Sequence, residues 1–201
     1  MIFILDAYDS YVYNLVAYIQ ALGESIEIRQ PHRITIEQLE RLEPDGIVLS
    51  PGPGHPGEYP LTEAILKTFY KKIPILGVCL GHQAIGHFFQ CEIIRGKTPM
   101  HGKLTKIHHC QQGIFRGLPK EYFVTRYHSL IIDRISPDLR VTAVAEEGVI
   151  MGIEHRNYPV YGVQFHPEAL QTEYGSELLN NFIGQCRNDK SNRRINRYHR
   201  F

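Results

Sequence analysis

The chain has 201 residues, of which 43% are hydrophobic and 21% charged, and its formal net charge is +1 at pH 7. These values are ordinary for a globular protein that buries a full core in one domain, or at most two. The balanced charge gives no general reason to expect a nucleic acid or a membrane as partner, and no apolar run approaches the roughly 20 residues that span a bilayer. The segment Met1–Asp6 predicts a strand and lacks the basic and small-residue parts of a signal peptide.

The first half of the chain alternates between apolar runs and amphipathic helical patterns. Strands are predicted at 1–6, 25–30, 45–50 and 73–78, with helices at about 10–22, 35–42, 61–71 and 81–89. Each connection between strands is long enough for a crossover, which indicates that the strands pair in parallel.

After residue 90 the pattern changes to short β-rich segments. They lie at 91–94, 103–109, 122–127, 131–135, 141–146, 149–154 and 160–165, and a last helix is predicted at about 174–186. Some of these strands are expected to form an antiparallel ribbon or side sheet. The predicted fold class is therefore α/β, an open and mostly parallel sheet with helices on both faces, plus a small antiparallel side sheet.

The last residues differ in composition from the rest of the chain. Residues 188–201 are polar and basic, so we divide the chain into a domain at 1–187 and a flexible C-terminal tail at 188–201. A solvated extension without a catalytic role is the plainer interpretation of this tail. The alternative is contact with a partner, or weak contact with nucleic acid through its arginine and aromatic side chains.

A rigid turn follows the predicted strand at 45–50. Its sequence is Pro51-Gly52-Pro53-Gly54, and because proline lacks an N–H, the two glycines supply its only backbone donors. This arrangement suits an oxyanion hole made from the N–H of Gly52 and the N–H of Leu80. The alternative interpretation is a plain loop between a strand and a helix.

Cys79 lies at the turn between a predicted strand and the next helix, with Gly77 and Gly81 two residues to either side. This is the pattern of a nucleophile elbow, with cysteine in place of serine. The glycines allow a sharp turn and the close approach of a substrate. The positive end of the helix favours the thiolate, and its free N–H groups can hold an oxyanion. The alternative is a small buried hydrophobic residue.

A candidate base and acid follow the last predicted strand. Pro167 holds His166 in an extended conformation, so His166 and Glu168 can share one side of the chain. The carboxylate can then orient and charge the imidazole, which completes a nucleophilic triad with Cys79. Alone, this segment could be a strand-end histidine beside a solvated glutamate. Because Gly52, Cys79 and His166 all follow strands, we expect them to converge at the carboxyl edge of the sheet.

These three segments together resemble the class I, triad-type glutamine amidotransferases, over nearly all of residues 1–187. Finer motifs at Asp6–Asn14, Met100–Lys103 and Arg126–Leu130 are similar to the small subunits of anthranilate synthase and aminodeoxychorismate synthase. The resemblance implies a flavodoxin-like fold, hydrolysis of L-glutamine to glutamate, and delivery of ammonia to a chorismate-binding synthase large subunit in a heteromeric complex. It also implies contacts to glutamine or the oxyanion from Gly52, Gln83, Ser129 and Leu130.

Four positions depart from the usual pattern of this family. Ala7 stands where the family has asparagine, Val12 where it has threonine, Leu104 where it has a small hydroxyl residue, and Ala169 where it has serine. None of these positions belongs to the triad. We expect the first three to alter the partner surface and Ala169 to alter the edge of the active site.

Two other classes of function remain open. One is a free-standing, cysteine-dependent γ-glutamyl hydrolase, and the other is a non-catalytic, partner-binding subunit, which the complete triad disfavours. No set of histidines has the spacing of zinc ligands, so we expect neither a metal nor a cofactor. The four cysteines show no paired spacing and a catalytic thiol needs reducing conditions, which predicts a cytoplasmic protein. The aromatic acceptor would bind to the partner, so the tryptophan and folate pathways are both compatible with this chain.

The segment Met100–Lys103 follows a basic, loop-like stretch at 95–99 and has no evident role in the core. We therefore assign it to docking of the partner, or to signalling that the partner is loaded, because surface loops often carry function. A buried turn is the alternative interpretation.

Overall fold

The computed structural model describes residues 1–198, with side chains described through Arg193. The strands are β1 Ile2–Leu5, β2 Ile26–Arg29, β3 Gly46–Leu49, β4 Ile75–Val78, β5 Glu92–Arg95, β6 Lys103–His109, β7 Glu121–Arg126, β8 Leu130–Arg134, β9 Leu139–Ala145, β10 Ile150–His155 and β11 Val160–Val163. The α-helices are α1 Val12–Ala21, α2 Ile36–Leu42, α3 Pro60–Phe69, α4 Leu80–Phe88 and α5 Gly175–Tyr198. Short 3-10 helices lie at Pro31–Arg33, Pro56–Glu58 and Gly113–Phe115.

Strands from the first half of the chain, joined by β11, form the parallel half of the main sheet. Their order is β2-β1-β3-β4-β11, and every neighbouring pair is parallel. Strands β1, β3, β4 and β11 are buried at every position, as continuous apolar runs predict. This order is that of a flavodoxin-like, doubly wound sheet, so the predicted fold class is confirmed.

Alternate residues of these strands face two separate cores. Ile2 and Ile4 belong to a core covered by α1 and α5, whereas Phe3 and Leu5 belong to a core covered by α2, α3 and α4. Successive side chains of a strand point to opposite faces, so a strand buried at every position needs helices on both faces. Each fully buried side chain of this size contributes about 1.5–3 kcal/mol to stability.

The strands after residue 90 divide between two sheets. Strands β10, β9, β6 and β7 extend the main sheet beyond β11 through antiparallel pairs. Strands β5 and β8 form a separate, two-stranded antiparallel sheet. The predicted side sheet is therefore confirmed. It is small because most of the β-rich segments add to the main sheet instead.

Helix α5 continues well past its predicted end near residue 186, and reaches Tyr198. Two ion pairs join this extension to the loops that precede β2 and β3. Arg187 pairs with Glu24 at 2.8 Å, and Lys190 pairs with Asp45 at 2.8 Å. The sequence predicted a flexible tail from residue 188, and the structure continues the helix as far as residue 198, with residues 199–201 outside the described part. Within residues 1–198, no helix combines the length and the apolar character needed to cross a membrane.

Candidate active site

Three adjacent parallel strands, β3, β4 and β11, carry the predicted site residues on the loops that follow them. In the register of the sheet, Leu49 pairs with Gly77, and Val163 pairs with Val78. The three strands therefore end side by side, and their loops leave the sheet at one edge. In open α/β sheets this carboxyl edge is where ligands bind.

Cys79 occupies a strained turn between β4 and α4. Its φ is +53°, a conformation that residues other than glycine rarely adopt, and it is 5% exposed. The N–H of Cys79 donates to the carbonyl of Val163 at 2.8 Å, which ties the turn to β11. A side chain at Gly77 would collide with the backbone of Gly81, and a side chain at Gly81 would collide with the carbonyl of Leu49. Both glycines are therefore required for steric reasons, and the turn has the geometry of a nucleophile elbow.

His166 and Glu168 form a buried pair on the loop after β11. Nδ1 of His166 lies 2.6 Å from Oε1 of Glu168, and the two residues are 3% and 2% exposed. The N–H of His166 donates to the carbonyl of Thr125 at 3.1 Å, and its carbonyl accepts from the hydroxyl of Thr172 at 2.7 Å. The backbone of His166 is thus held at both ends, while the carboxylate sets the orientation of the ring.

The charge state of His166 depends on its two acidic neighbours. Burial disfavours the imidazolium, but interactions with Cys79 and Glu168 outweigh burial and raise the pKa of His166 to about 10. Nε2 of His166 makes no hydrogen bond of ordinary geometry within the described chain. Cys79 and Glu168 each act on the ring through a side-chain interaction and through charge. The ring is charged at neutral pH, with Nε2 available for proton transfer.

Two glutamines stand beside the nucleophile, and only Gln83 was predicted. Gln83 donates from Nε2 to the carbonyl of Leu130 at 2.9 Å and to Oε1 of Gln164 at 3.2 Å. Nε2 of the fully buried Gln164 lies 3.8 Å from Sγ of Cys79. In the sequence, Gln164 lies within the predicted strand at 160–165 and shows no feature of a site residue. Its place directly after β11 and two residues before His166 is the signal that could have found it.

Gly52 and Leu80 meet where the oxyanion hole was predicted. A Cβ atom on Gly52 would lie 2.8 Å from Cδ2 of Leu80 and 2.5 Å from the carbonyl oxygen of Ala7, so the loops touch here. Leu80 is the first residue of α4, and its N–H has no acceptor within the helix. The N–H of Gly52 makes no hydrogen bond to another backbone group in the part of the chain that the structure describes. Both donors can therefore serve a ligand.

Ser129 and Leu130 lie where the side sheet meets α4. Ser129 is exposed, and its carbonyl accepts from the N–H of Gly96 at 2.8 Å. The carbonyl of Leu130 accepts from Gln83 at 2.9 Å. The structure therefore places Leu130 against Gln83, with Ser129 next to it in the chain.

A cavity of about 330 Å³ opens beside the pair of His166 and Glu168. Its walls include Tyr11 and Tyr127, whose rings stack with centroids 5.8 Å apart, and the ring of Tyr127 lies edge-on to His166 at 5.1 Å. A larger cleft of about 550 Å³ surrounds Asp45 at the amino ends of the strands, but no thiol or imidazole lines it. The smaller cavity is lined by His166 and Glu168 but not by Cys79, so it is the candidate entrance on the side of the base.

Two of the four departures from the family pattern do not lie where they were expected. Val12 is fully buried in the core under α1, and Ala7 is 4% exposed and packs against Gly52. Neither position can form a partner surface, because both side chains are buried. Val12 belongs to the inward apolar face of its helix, and Ala7 lies beneath the turn at Gly52. Leu104 is 48% exposed and Ala169 lines the cavity, so these positions agree with the expectation.

Known proteins match this chain over almost its whole length. The family model for class I glutamine amidotransferases matches residues 3–186. Anthranilate synthase component 2 of Azospirillum brasilense is 43% identical over 193 residues, covering 93% of this chain and 97% of that protein. Aminodeoxychorismate/anthranilate synthase component 2 of Bacillus subtilis is 44% identical over 191 residues, covering 94% of this chain and 98% of that protein. The solved structure of a GMP synthase protein from Thermoplasma acidophilum has a TM-score of 0.84 at 30% identity, covering 98% of this chain and 96% of that one.

The matched region contains every loop of the candidate site. It begins at residue 3, ends at residue 186, and thus includes the turn at Gly52, the elbow at Cys79 and the pair at His166 and Glu168. The chain therefore belongs to the class I glutamine amidotransferase family.

Proposed function

We propose that this chain is the glutaminase subunit of a chorismate-using synthase, which hydrolyses L-glutamine to glutamate and delivers ammonia to a separate synthase subunit. The observation that carries this proposal is the buried pair of His166 and Glu168 beside Cys79, in a family named for amide transfer from glutamine. Relatives named component 2 of anthranilate synthase and of aminodeoxychorismate synthase support a complex with a component 1. Both names occur among proteins of similar identity, so tryptophan and folate synthesis are both candidate pathways.

The reaction uses the thiolate of Cys79 as nucleophile. Cys79 attacks the side-chain amide carbon of glutamine, and Nε2 of His166 gives its proton to the departing ammonia as the C–N bond breaks. A γ-glutamyl thioester then remains on Cys79, with His166 neutral. His166 next takes a proton from water, which attacks the thioester, releases glutamate and restores the thiolate. Glu168 holds the ring of His166 through Nδ1 in both halves of the reaction.

The negative oxygen formed in each half of the reaction binds to the N–H groups of Gly52 and Leu80. These donors come from two rigid turns, so they need no reorganisation as charge develops. Loss of one such donor costs on the order of 10²–10³-fold in kcat. The strained turn at Cys79 serves the same purpose, because it holds the sulfur beside the first residue of α4.

The wall opposite the base contacts the rest of the glutamine molecule. Gln83, Ser129 and Leu130 supply these contacts, and Gln164 supports them from beneath, since its amide bridges Gln83 and Cys79. The cavity lined by Tyr11 and Tyr127 provides room beside the base. A thiolate nucleophile requires reducing conditions, so we place the complex in the cytoplasm.

The partner docks over the segment Met100–Lys103. His101 and Lys103 are exposed, and the ring of His101 lies 5.7 Å from the ring of Tyr127, edge-on. Tyr127 in turn contacts the ring of His166 at 5.1 Å. A partner seated on this segment would therefore touch a residue that packs against the catalytic base, and could gate the hydrolysis of glutamine.

Reconstitution with the chorismate-using subunit tests the proposal. Cys79→Ser should abolish synthesis from glutamine and leave synthesis from an ammonium salt intact, whereas Cys110→Ser, which changes an exposed thiol, should leave both intact. Normal glutamine-dependent synthesis by Cys79→Ser would exclude Cys79 as the nucleophile. Equal glutamine hydrolysis with and without the partner would favour a free-standing hydrolase, and no hydrolysis in either case would favour a binding subunit.

A further inference from the structure

His128 is a buried histidine between β7 and β8 that the proposed reaction does not use. It is 5% exposed. Nε2 of its ring lies 3.1 Å from Nε of Arg126, and Nδ1 lies 3.0 Å from the carbonyl oxygen of Leu130. The ring therefore bridges a buried guanidinium and the wall of the candidate site.

The partners of His128 determine which of its ring nitrogens carries the proton. The guanidinium of Arg126 can only donate, so Nε2 accepts and carries no proton. The carbonyl of Leu130 can only accept, so Nδ1 carries the proton and donates. Burial, followed by the charge of Arg126, lowers the pKa of His128 to about 4, which keeps the ring neutral near pH 7.

The carbonyl of Leu130 accepts from two side chains at once. Nδ1 of His128 donates to it at 3.0 Å, and Nε2 of Gln83 donates to it at 2.9 Å. A carbonyl oxygen has two lone pairs, so both are used and the peptide group is held from two directions. Gln83 also donates to Gln164, whose Nε2 lies 3.8 Å from Sγ of Cys79. A line of contacts thus runs from His128 to the nucleophile.

Arg126 anchors this line on the side away from the nucleophile. It is 1% exposed, its Nη1 lies 3.3 Å from the hydroxyl of Thr105, and it pairs with Glu147. These partners come from β6 and from the turn between β9 and β10, two separate parts of the antiparallel half of the sheet. A rigid guanidinium behind the ring leaves His128 a single orientation.

We propose that His128 is a positioning residue for glutamine: its Nδ1–H holds the carbonyl of Leu130 and, together with Gln83, aligns the wall of the site beside Cys79. The proposal rests on the proposed function, since it concerns the glutamine site of that reaction. Leu130 belongs to the wall that is proposed to contact glutamine away from the reacting amide, and loss of such binding raises KM without lowering kcat. The effect of His128 is therefore expected mainly in the KM for glutamine.

Asparagine and glutamine separate the two roles of the ring. The amide of His128→Asn reaches the place of Nδ1 and keeps a donor for Leu130, whereas the amide of His128→Gln reaches the place of Nε2 and keeps an acceptor for Arg126. In the reconstituted complex, His128→Asn should keep the KM for glutamine within about twofold of wild type, and His128→Gln, which removes one hydrogen bond from the wall, should raise it about tenfold. His128→Asn should be thermally less stable than His128→Gln, because His128→Asn leaves the buried N–H of Arg126 without an acceptor.

The ¹⁵N chemical shifts of labelled histidine give a second readout, which should report the Nδ1–H tautomer for His128. His155 is a matched control: it is also buried, but its Nδ1 accepts from the N–H groups of Asn157 and Tyr158, away from the site. His155→Gln should lower thermal stability without changing the KM.

Either of two results would overturn the role of His128. One is a KM for glutamine that follows thermal stability across the His128 variants, and the other is a proton on Nε2. A wild-type complex that fails to hydrolyse glutamine would contradict the proposed function instead, while the tautomer measurement would still report on His128.

Discussion

Nδ1 of His166 and Oε1 of Glu168 lie 2.6 Å apart in a site where both residues are almost fully buried. A carboxylate at this distance orients the imidazole and stabilises its positive charge, but it does not itself transfer the proton to the substrate. The two residues therefore have unequal roles. In the proposed reaction His166 moves protons at Nε2, and Glu168 acts only through His166.

Glu168→Gln should lower the kcat for glutamine hydrolysis less than His166→Ala does. Loss of the general acid and base costs on the order of 10²–10⁴-fold, whereas a glutamine amide still fills the space of the carboxylate. The glutaminase rate of the reconstituted complex measures both variants, with ammonia-dependent synthesis as the control for an intact partner. Combining either substitution with Cys79→Ser should give the same activity as Cys79→Ser alone, because triad effects are strongly non-additive. Equal losses for the two single variants would contradict this division of roles.

The pKa of His166 should fall when the thiol is removed. Cys79 and Glu168 both favour the imidazolium, and together they raise the pKa of His166 to about 10 against the opposing effect of burial. In Cys79→Ala only the carboxylate remains, so the ring should lose its proton at a lower pH than in wild type. An NMR titration of the His166 ring measures the change, and the resonances of His155 serve as an internal reference. An unchanged pKa would mean that Cys79 carries no thiolate charge near the ring.

Cys79→Gly should be more stable than Cys79→Ala. Residue 79 has a φ of +53° and a ψ of −99°, outside the left-handed helical region, where a residue with a side chain is strained by about 1–3 kcal/mol and glycine is not. Part of this gain is lost because glycine is more flexible in the unfolded chain. Urea unfolding of both variants should therefore differ by about 1 kcal/mol in favour of glycine.

Cys186 provides the matched comparison for this experiment. It is a buried cysteine within helix α5, where glycine costs about 1 kcal/mol relative to alanine, so the order of its two variants should be reversed. The same order at residues 79 and 186 would argue against strain at the elbow.

His101→Ala and Lys103→Ala should weaken binding of the partner, or its stimulation of glutamine hydrolysis, with little change in melting temperature. Both side chains are exposed, and His101 contacts the ring of Tyr127 from outside. Lys120→Ala, at an exposed position at the other end of the β6–β7 hairpin, is the control. If the segment is a structural turn instead, the melting temperature should fall while stimulation per folded molecule stays normal. Both quantities should be measured on one batch of protein.

Sequence was sufficient to predict those features that depend on neighbouring residues. Gly77 and Gly81 have a recognisable spacing because a turn with φ at +53° at Cys79 leaves no room for side chains on either side. The spacing of His166 and Glu168 predicted that the two side chains meet, but the structure joins them in a turn, closed by the N–H of Ala169 on the carbonyl of His166 at 3.2 Å, instead of the extended segment that was expected. The apolar runs predicted the buried parallel strands, and the family prediction is confirmed.

The tertiary structure decided which distant residues meet. Gln83 and Gln164 are 81 positions apart, and their hydrogen bond exists because α4 and β11 end up side by side. The same holds for Thr105 and Glu147, which meet the guanidinium of Arg126, and for the acidic residues Glu24 and Asp45 that pair with side chains of α5 past its predicted end. Local backbone geometry restricts which residue types can occupy neighbouring positions, so it can be recognised in a short stretch of sequence. A hydrogen bond between remote segments depends on the order of strands in the sheet, which no short stretch of the chain records.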